Sequence, residues 1–223
     1  DLRMSRGLGD VYKRQEKKNF DGAQIFFAPG QKCGMMSLSI YIKERMISVN
    51  ETLKVLKERR SIRKYKKEQV APETLDAILD AGTWAASAKG GQSAVMVVVQ
   101  DPETISYMSA LNAEIQGKPG TDPFYGAPTV VVVLADGETP NWLQDGSLVM
   151  GNLMTAAWAL GVGSCWINRA TELFDLPEGR ELLAKWGLPA DGSLRGVGNC
   201  ILGYAEDVLP EAKPRRDNVV YVR

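Results

Sequence analysis

The sequence predicts an α+β or α/β domain with about four or five strands. Two runs rich in valine, 95–100 and 129–135, have the composition of strands that are buried on both faces. These runs are preceded, separated and followed by segments whose apolar residues recur every three or four positions, as in amphipathic helices. Strands that alternate with helices pack as layers around one core.

Two helices are expected before the first valine-rich run. Ser48 and Glu51 form a capping-box pair, which begins a helix that ends near Arg60. Pro72 suits the first position of the next helix, whose apolar residues keep helical spacing to about Trp84.

The second half of the chain contains its most apolar helix, which we expect at 145–160. This helix is apolar on nearly every side, and a helix of that kind is central in a domain or lies at a subunit interface. The segment 218–222 has strand composition, but no hairpin turn returns it to its own chain. We therefore expect it to cross to a partner chain and add a strand to the partner's sheet. The other expected elements are helices at 101–115 and 177–186, a loop at 117–128, and strands at 164–167 and 199–202.

Composition excludes several kinds of function. The chain has 223 residues, with 27 basic and 27 acidic residues and no histidine. The balanced charge disfavours a nucleic-acid-binding protein. Without histidine there is no histidine base, Ser-His-Asp triad or ordinary histidine metal site. Cys33, Cys165 and Cys200 are far apart, so we expect reduced, buried thiols in a cytoplasmic protein. No apolar run has the length of a membrane helix, and no signal-peptide pattern opens the chain.

Residues 1–45 differ from the rest of the chain because they show no sustained periodicity. We expect them to be a non-native or disordered extension, with Met46 a suitable native start. The folded domain is then expected at 46–223.

A basic segment at 59–65 is the strongest local signal of function. Seven of the eleven residues from Lys57 to Lys67 are basic, and arginines surround the hydroxyl of Ser61. A solvated charge run is one interpretation of this segment. Guanidinium groups beside a hydroxyl also suit a phosphate, and a second basic group at 213–216 lies near the C-terminus. The glycine-bearing stretches 89–91 and 161–163 match neither a P-loop nor a dinucleotide fingerprint and are read as turns.

Five motifs in order resemble the nitroreductase family of flavoenzymes. The segment 59–65, R-R-S-I-R-K-Y, resembles the signature R-R-S-x-R-x-[FY], and A-A-S-A-K-G-G-Q at 85–92 is similar to A-P-S-x-x-N-x-Q. Segments 122–128, 161–167 and the closing pair Gly203-Tyr204 with 213–215 also match, so the resemblance covers about 48 to the last residue. The departures from the family pattern are Ala86 for proline, Gly90 for asparagine, Ser93-Ala94 for proline-tryptophan, and Asn168-Arg169 for a small or glycine-containing pair.

The resemblance implies an α+β, three-layer sandwich with a central, mostly antiparallel sheet, exchanged C-terminal strands and two FMN molecules in a homodimer. It implies an enzyme that takes hydride from NADH or NADPH and reduces nitroaromatics, quinones or related acceptors by a ping-pong mechanism. The flavin carries the chemistry, so no catalytic side chain and no metal are expected.

The resemblance also assigns the residues that hold the cofactor. Phosphate contacts fall to Arg59, Ser61, Lys213 and Arg215, and contacts with the ribityl chain or the pyrimidine end fall to Arg60 and Arg63. The partner subunit would supply the loop residues Ala86, Ser87, Ala88, Gly90 and Gln92. Backbone groups of Ile167, Asn168 and Arg169 would lie along the N5 edge of the flavin.

Two other functions stay open at the level of sequence. The loop departures are compatible with a flavin-binding or flavin-sensing protein that has no turnover. The basic segment alone is compatible with a nucleotide or phospholipid contact in a flavin-free fold.

Overall fold

Four strands form one antiparallel sheet in the part of the chain that the structure describes. The structure is a computed structural model, and it describes residues 50–206 and 209–223. The strands are β1 (Ala94–Val99), β2 (Thr129–Asp136), β3 (Gly163–Ile167) and β4 (Leu194–Gly203), in the order β1-β2-β4-β3. The helices are α1 (Glu51–Glu58), α2 (Pro72–Thr83), α3 (Pro102–Ile115), α4 (Trp142–Ala159), α5 (Ala170–Asp175) and α6 (Pro177–Lys185).

Strand β2 lies inside the sheet and divides the core into two halves. Val130 and Val132 pack with residues of α3, α5 and α6, whereas Val131 and Val133 point to the opposite face and pack with α2 and α4. All four valines are fully buried. Alternate side chains of one strand thus face two helical layers, and the predicted α+β architecture of an antiparallel sheet flanked by helices is confirmed.

The first strand is not buried on both faces, so that prediction is wrong for 95–100. β1 lies at the edge of the sheet and pairs only with β2 among the described strands. Most of its residues are half-buried, and Val98 is 37% exposed. The two valine-rich runs have similar compositions. Composition indicates strand propensity, but it does not indicate which strand has neighbours on both sides.

The start of the first helix also differs from the prediction. Asn50 is the N-cap of α1, and its side chain accepts a hydrogen bond from the Leu53 backbone N–H at 3.1 Å. The predicted capping box of Ser48 and Glu51 is therefore wrong, because Asn50 is the N-cap. Ser48 itself lies outside the described residues. The helix ends at Glu58, because Arg59 has already left the helical conformation.

The other predicted helices are confirmed, with shifts of a few residues at their ends. Pro72 occupies the first turn of α2, and Asp101 caps α3 by accepting from the Thr104 N–H at 2.8 Å. Helix α4 begins at Trp142, three residues earlier than predicted, and packs against the sheet and α2. Its side chain Leu148 is 49% exposed, so the apolar surface of α4 exceeds what its own domain covers.

Helix α5 and the first half of β4 were not predicted. The helix has six residues, too few to show a period, and β4 is interrupted in sequence by glycines. One of these, Gly196, lies against the start of α5, where a Cβ would clash with the Ala170 carbonyl oxygen. The glycine therefore lets the helix pack directly on the strand.

The C-terminal segment 209–223 contains no helix or strand and is exposed along its length. Val220 is 86% exposed. The exchanged strand at 218–222 stays a prediction, since its expected partner is a second chain. The predicted extension 1–45 and Cys33 lie outside the described residues. Within those residues, no helix combines the length and apolarity needed to cross a membrane.

Candidate functional site

The basic segment 59–65 is fixed to the edge of the sheet beside β3. Ser61 forms a parallel bridge with Ser164, and the Ile62 N–H donates to the Ser164 carbonyl at 2.9 Å. Ile62 and Tyr65 are 3% and 7% exposed and attach the segment to the core. The arginines thus stand on a rigid backbone, in contrast to a solvated charge run.

Arg59 has an unsatisfied hydrogen-bond donor at this edge. Its Nη1 atom is buried and has no hydrogen-bond partner within the described residues, and the buried Ser164 Oγ is also without one. Buried polar atoms without a partner are rare in native proteins and call for an explanation. A guanidinium group and a hydroxyl are both suitable donors for an anionic oxygen, so these two side chains fit a phosphate or another anion.

The other two arginines of the segment make different contacts. Arg60 donates through Nη1 to the carbonyls of Lys57 and Arg59, at 2.8 and 2.9 Å, and so closes the C-terminus of α1. Arg63 is exposed, and its guanidinium carbon lies 5.9 Å from the centre of the Tyr125 ring. Arg63 is therefore free to meet a ligand, whereas part of the Arg60 fork is already in use.

The two described cysteines lie near these arginines but do not have nucleophilic character. Burial raises the pKa of Cys165, although the charges of Arg63 and Arg59 oppose this effect. Burial raises the pKa of Cys200 to about 12. Both are free thiols and stay protonated at neutral pH, so neither is a candidate catalytic group.

The three residues predicted to line the N5 edge of the flavin, Ile167 to Arg169, lie at the end of β3 and are held by α3. We call them the rim. Arg169 donates through Nε to Asn112 Oδ1 at 2.9 Å, and Asn112 Nδ2 donates to the Asn168 carbonyl at 2.9 Å. Arg169 adopts a left-handed conformation with φ of 73°. Sequence reasoning missed Asn112, which is fully buried. Its only signal was an amide on the buried side of an amphipathic helix.

The loop 85–92 contains a 3₁₀ turn, Ala88–Gly90, and leads into β1. Its backbone N–H of Ala88 donates to Asp145 Oδ1 at 2.9 Å, and the Gln92 N–H donates to Ser87 Oγ at 3.0 Å. The predicted site residues Ala86, Gly90 and Gln92 are exposed. The loop thus presents these positions to its surroundings.

Within one chain, the loop and the basic segment are far apart. The loop precedes β1 and contacts the first turn of α4, whereas the basic segment borders β3 at the opposite edge of the sheet. Its residue Ile62 lies against Gly163, just beyond the last turn of α4. Helix α4 has 18 residues and is therefore about 27 Å long. One chain cannot bring both groups onto one small ligand.

No hydrogen bond or ion pair within the described residues joins the C-terminal basic residues to Arg59. Lys213 and Arg215 are exposed, and neither makes a hydrogen bond or ion pair within the described residues. Their assignment to the phosphate stays a prediction.

A cavity in the described part of the chain lies away from these residues. It has a volume of about 620 Å³ and lies between α3 and the loop 119–128, where Ser109 and Asp122 contribute to its lining. None of the predicted site residues lines it.

The chain folds as an antiparallel sheet between two helical layers, with a basic segment along the sheet edge beside β3. Residues 56–204 match the model of the nitroreductase family, and the chain belongs to this family. The family that the motifs indicated is thereby confirmed.

Relatives and solved structures support the same assignment. A protein of Archaeoglobus fulgidus, named for NADH dehydrogenase or NAD(P)H nitroreductase activity, is 33% identical over 164 residues, which are 71% of this chain and 88% of the relative. An FMN reductase [NAD(P)H] of Bacillus subtilis is 31% identical over 174 residues, 66% of each chain. The crystal structure of a nitroreductase with bound FMN from Bacteroides fragilis has a TM-score of 0.72 and 28% identity, over 78% of this chain and all of that one.

Proposed function

We propose that the protein is an FMN-dependent oxidoreductase that uses NADH or NADPH to reduce nitroaromatics, quinones or related small acceptors. The observation that carries this proposal is the buried, unpartnered Nη1 of Arg59 at the β3 edge. It lies in the motif by which the chain resembles its family, and a family member of the same fold binds FMN. The phosphate of FMN would supply the anionic oxygens that Arg59 lacks.

The residues divide the work of holding the cofactor. Arg59 and Ser61 would bind the phosphate, together with Lys213 and Arg215 of the C-terminal segment. Arg63, which is exposed beside Tyr125, would place positive charge at the pyrimidine end, where it favours a reduced, anionic ring. Arg60 would act mainly by closing α1 and fixing the backbone of Arg59.

When bound, FMN supplies the redox chemistry, by taking hydride from NAD(P)H and passing the electrons to an acceptor. The chain supplies the surroundings of the ring. Asn112 fixes both the Asn168 carbonyl and the Arg169 side chain, so the rim at the end of β3 keeps one shape while substrates exchange. We propose a ping-pong order because both substrates would meet the flavin at this rim, one after the other.

We further propose a homodimer in which each flavin site is shared. The support is the separation of the loop 85–92 from the basic segment by the length of α4. A second chain would bring its own loop, with Ala86, Ser87, Ala88, Gly90 and Gln92, to the first chain's arginines. Apolar side chains such as Trp84, which is 79% exposed, and Val220 are available to cover one another in the dimer.

We also propose a cytoplasmic location for the protein. Cys165 and Cys200 are both free and buried, as expected in a reducing compartment.

The absorption spectrum of the purified protein tests the cofactor, and NAD(P)H oxidation with menadione or nitrofurazone tests turnover. We expect a yellow protein that oxidises NADH or NADPH when an acceptor is present. A yellow protein without turnover would support a flavin-binding or flavin-sensing role. A protein that stays colourless after incubation with FMN would refute the proposal and favour a nucleotide or phospholipid contact.

A further inference from the structure

Asp145 is a buried carboxylate that the proposed mechanism does not use. It lies in the first turn of α4 and is 4% exposed. The two ion pairs of the described residues join other side chains, so no cation balances it there. A charge in such a position is tolerated when it accepts hydrogen bonds and lies near a helix N-terminus.

The carboxylate holds the loop 85–92 at the start of its turn, Ala88, and just after the loop, at Ser93. Oδ1 accepts from the Ala88 N–H at 2.9 Å, and Oδ2 accepts from the Ser93 hydroxyl at 3.3 Å. Within the loop, the 3₁₀ turn has only two backbone hydrogen bonds, from Gly90 N to Ser87 O and from Gly91 N to Ala88 O. Asp145 therefore provides much of the attachment between the loop and the body of the domain.

The loop needs this attachment because its backbone is unfavourable. Lys89 and Gln92 have φ of 54° and 49°, in the left-handed region that residues other than glycine rarely adopt. A loop of this kind would relax to other shapes if its external contacts were removed.

Within one chain, Asp145 lines only a small cavity. The cavity beside it, which Ser87 and Gln92 also line, has a volume of about 120 Å³. Pockets for cofactors or drug-sized ligands measure roughly 300–1,000 Å³. Within one chain, the recorded contacts of the carboxylate are with Ala88 of the loop and with Ser93.

We propose that Asp145 is a positioning residue for the flavin site: it fixes the loop 85–92 in the one shape that completes the site. The inference rests on the proposed function, in which this loop contacts FMN. Since the loop would serve the partner's flavin, Asp145 acts across the dimer interface. Its removal lowers FMN affinity without removing any group that touches the cofactor.

Two substitutions separate positioning from simple stability. Asp145→Ala removes both acceptors, and we expect FMN to bind about tenfold more weakly or worse. Asp145→Asn keeps a carbonyl for the Ala88 N–H, and its amide can donate to the Ser93 hydroxyl, which is able to accept. We expect the asparagine variant to bind FMN within about threefold of the wild type.

The assay is FMN titration of the flavin-free full chain by fluorescence, with thermal unfolding of each variant with and without FMN. Asp101→Ala is the control for lost stability, because Asp101 caps α3 through the Thr104 N–H and makes no hydrogen bond with the loop. We expect this control to unfold at a lower temperature in both states and to keep its FMN affinity. For Asp145→Ala we expect weaker binding and a smaller thermal shift on adding FMN.

The wild-type titration and the variant ratios answer different questions. If the wild type does not bind FMN, the proposed function fails and the inference fails with it. If the wild type binds and Asp145→Ala binds equally well, only the inference is overturned, and Asp145 is a structural residue. Should Asp145→Ala not fold, Ala88→Pro decides, since it deletes the donor N–H at the first position of the 3₁₀ turn, where proline is tolerated. Unchanged FMN affinity in that variant also overturns the inference.

Discussion

Replacing Arg59 with alanine should change the flavin-free and FMN-loaded proteins in opposite directions. In the flavin-free protein the variant removes a buried donor that has no partner within the described residues. An unsatisfied buried donor costs about 1–3 kcal/mol, and lost packing of the side-chain stem offsets part of the gain. We expect the Tm of the flavin-free variant to be unchanged or higher by about 2–4 °C, since about 1 kcal/mol shifts Tm by that amount in a chain of this size.

With FMN present, the same variant loses a charge-assisted hydrogen bond to phosphate. Such a bond contributes about 1.5–3 kcal/mol. Because about 1.4 kcal/mol corresponds to a tenfold change, FMN should bind about 10- to 140-fold more weakly. Adding Arg215→Ala should bring the total loss to at least about a hundredfold.

The assay is FMN titration of each flavin-free variant, paired with thermal unfolding in both states. Lys64→Ala is the control, because Lys64 is an exposed cation in the same segment. It should leave both quantities close to wild type. An Arg59→Ala variant that loses several degrees of Tm without FMN and keeps near-wild-type affinity would refute the reasoning, since Arg59 would then be a structural residue.

Three further predictions concern the rim, the C-terminal segment and the order of substrates. Arg169→Gly and Arg169→Ala both remove the hydrogen bond to Asn112, but only alanine keeps the strain of φ at 73°. The glycine variant should therefore be more stable by about 1 kcal/mol, and equal Tm values would contradict this. Truncation after Asp217 should weaken dimerisation and FMN binding together, and a monomer that holds stoichiometric FMN by light scattering would exclude the shared site. Initial rates at several acceptor concentrations should give parallel double-reciprocal lines, whereas intersecting lines would indicate a ternary complex.

The sequence predicted both valine-rich runs as strands, but it predicted the burial correctly only for β2. β2 was predicted well, since each of its faces meets a helical layer and every position from 129 to 135 is buried. β1 has similar composition but lies at an edge, and edge position is a property of the whole sheet. Helix α5 was missed because its six residues owe their conformation to packing on Gly196, a long-range contact.

The site shows the same division between local and long-range information. The basic segment 59–65 was found because its residues are adjacent and chemically distinctive. Asn112 and Asp145 were missed because each acts through a partner more than fifty residues away in sequence. The assignment of Lys213 and Arg215 to the phosphate stays a prediction, since both side chains are exposed and make no hydrogen bond or ion pair with the basic segment within the described residues.

Helix α4 separates the two halves of the proposed site by its own length, and this has a genetic consequence. A chain with a damaged basic segment still carries a sound loop, and a chain with a damaged loop still carries a sound basic segment. When two such chains pair, one site receives both defects and the other receives neither. Two alleles with weakened FMN binding, one altered at Arg59 and one at Asp145, should therefore complement each other when they are expressed in the same cell.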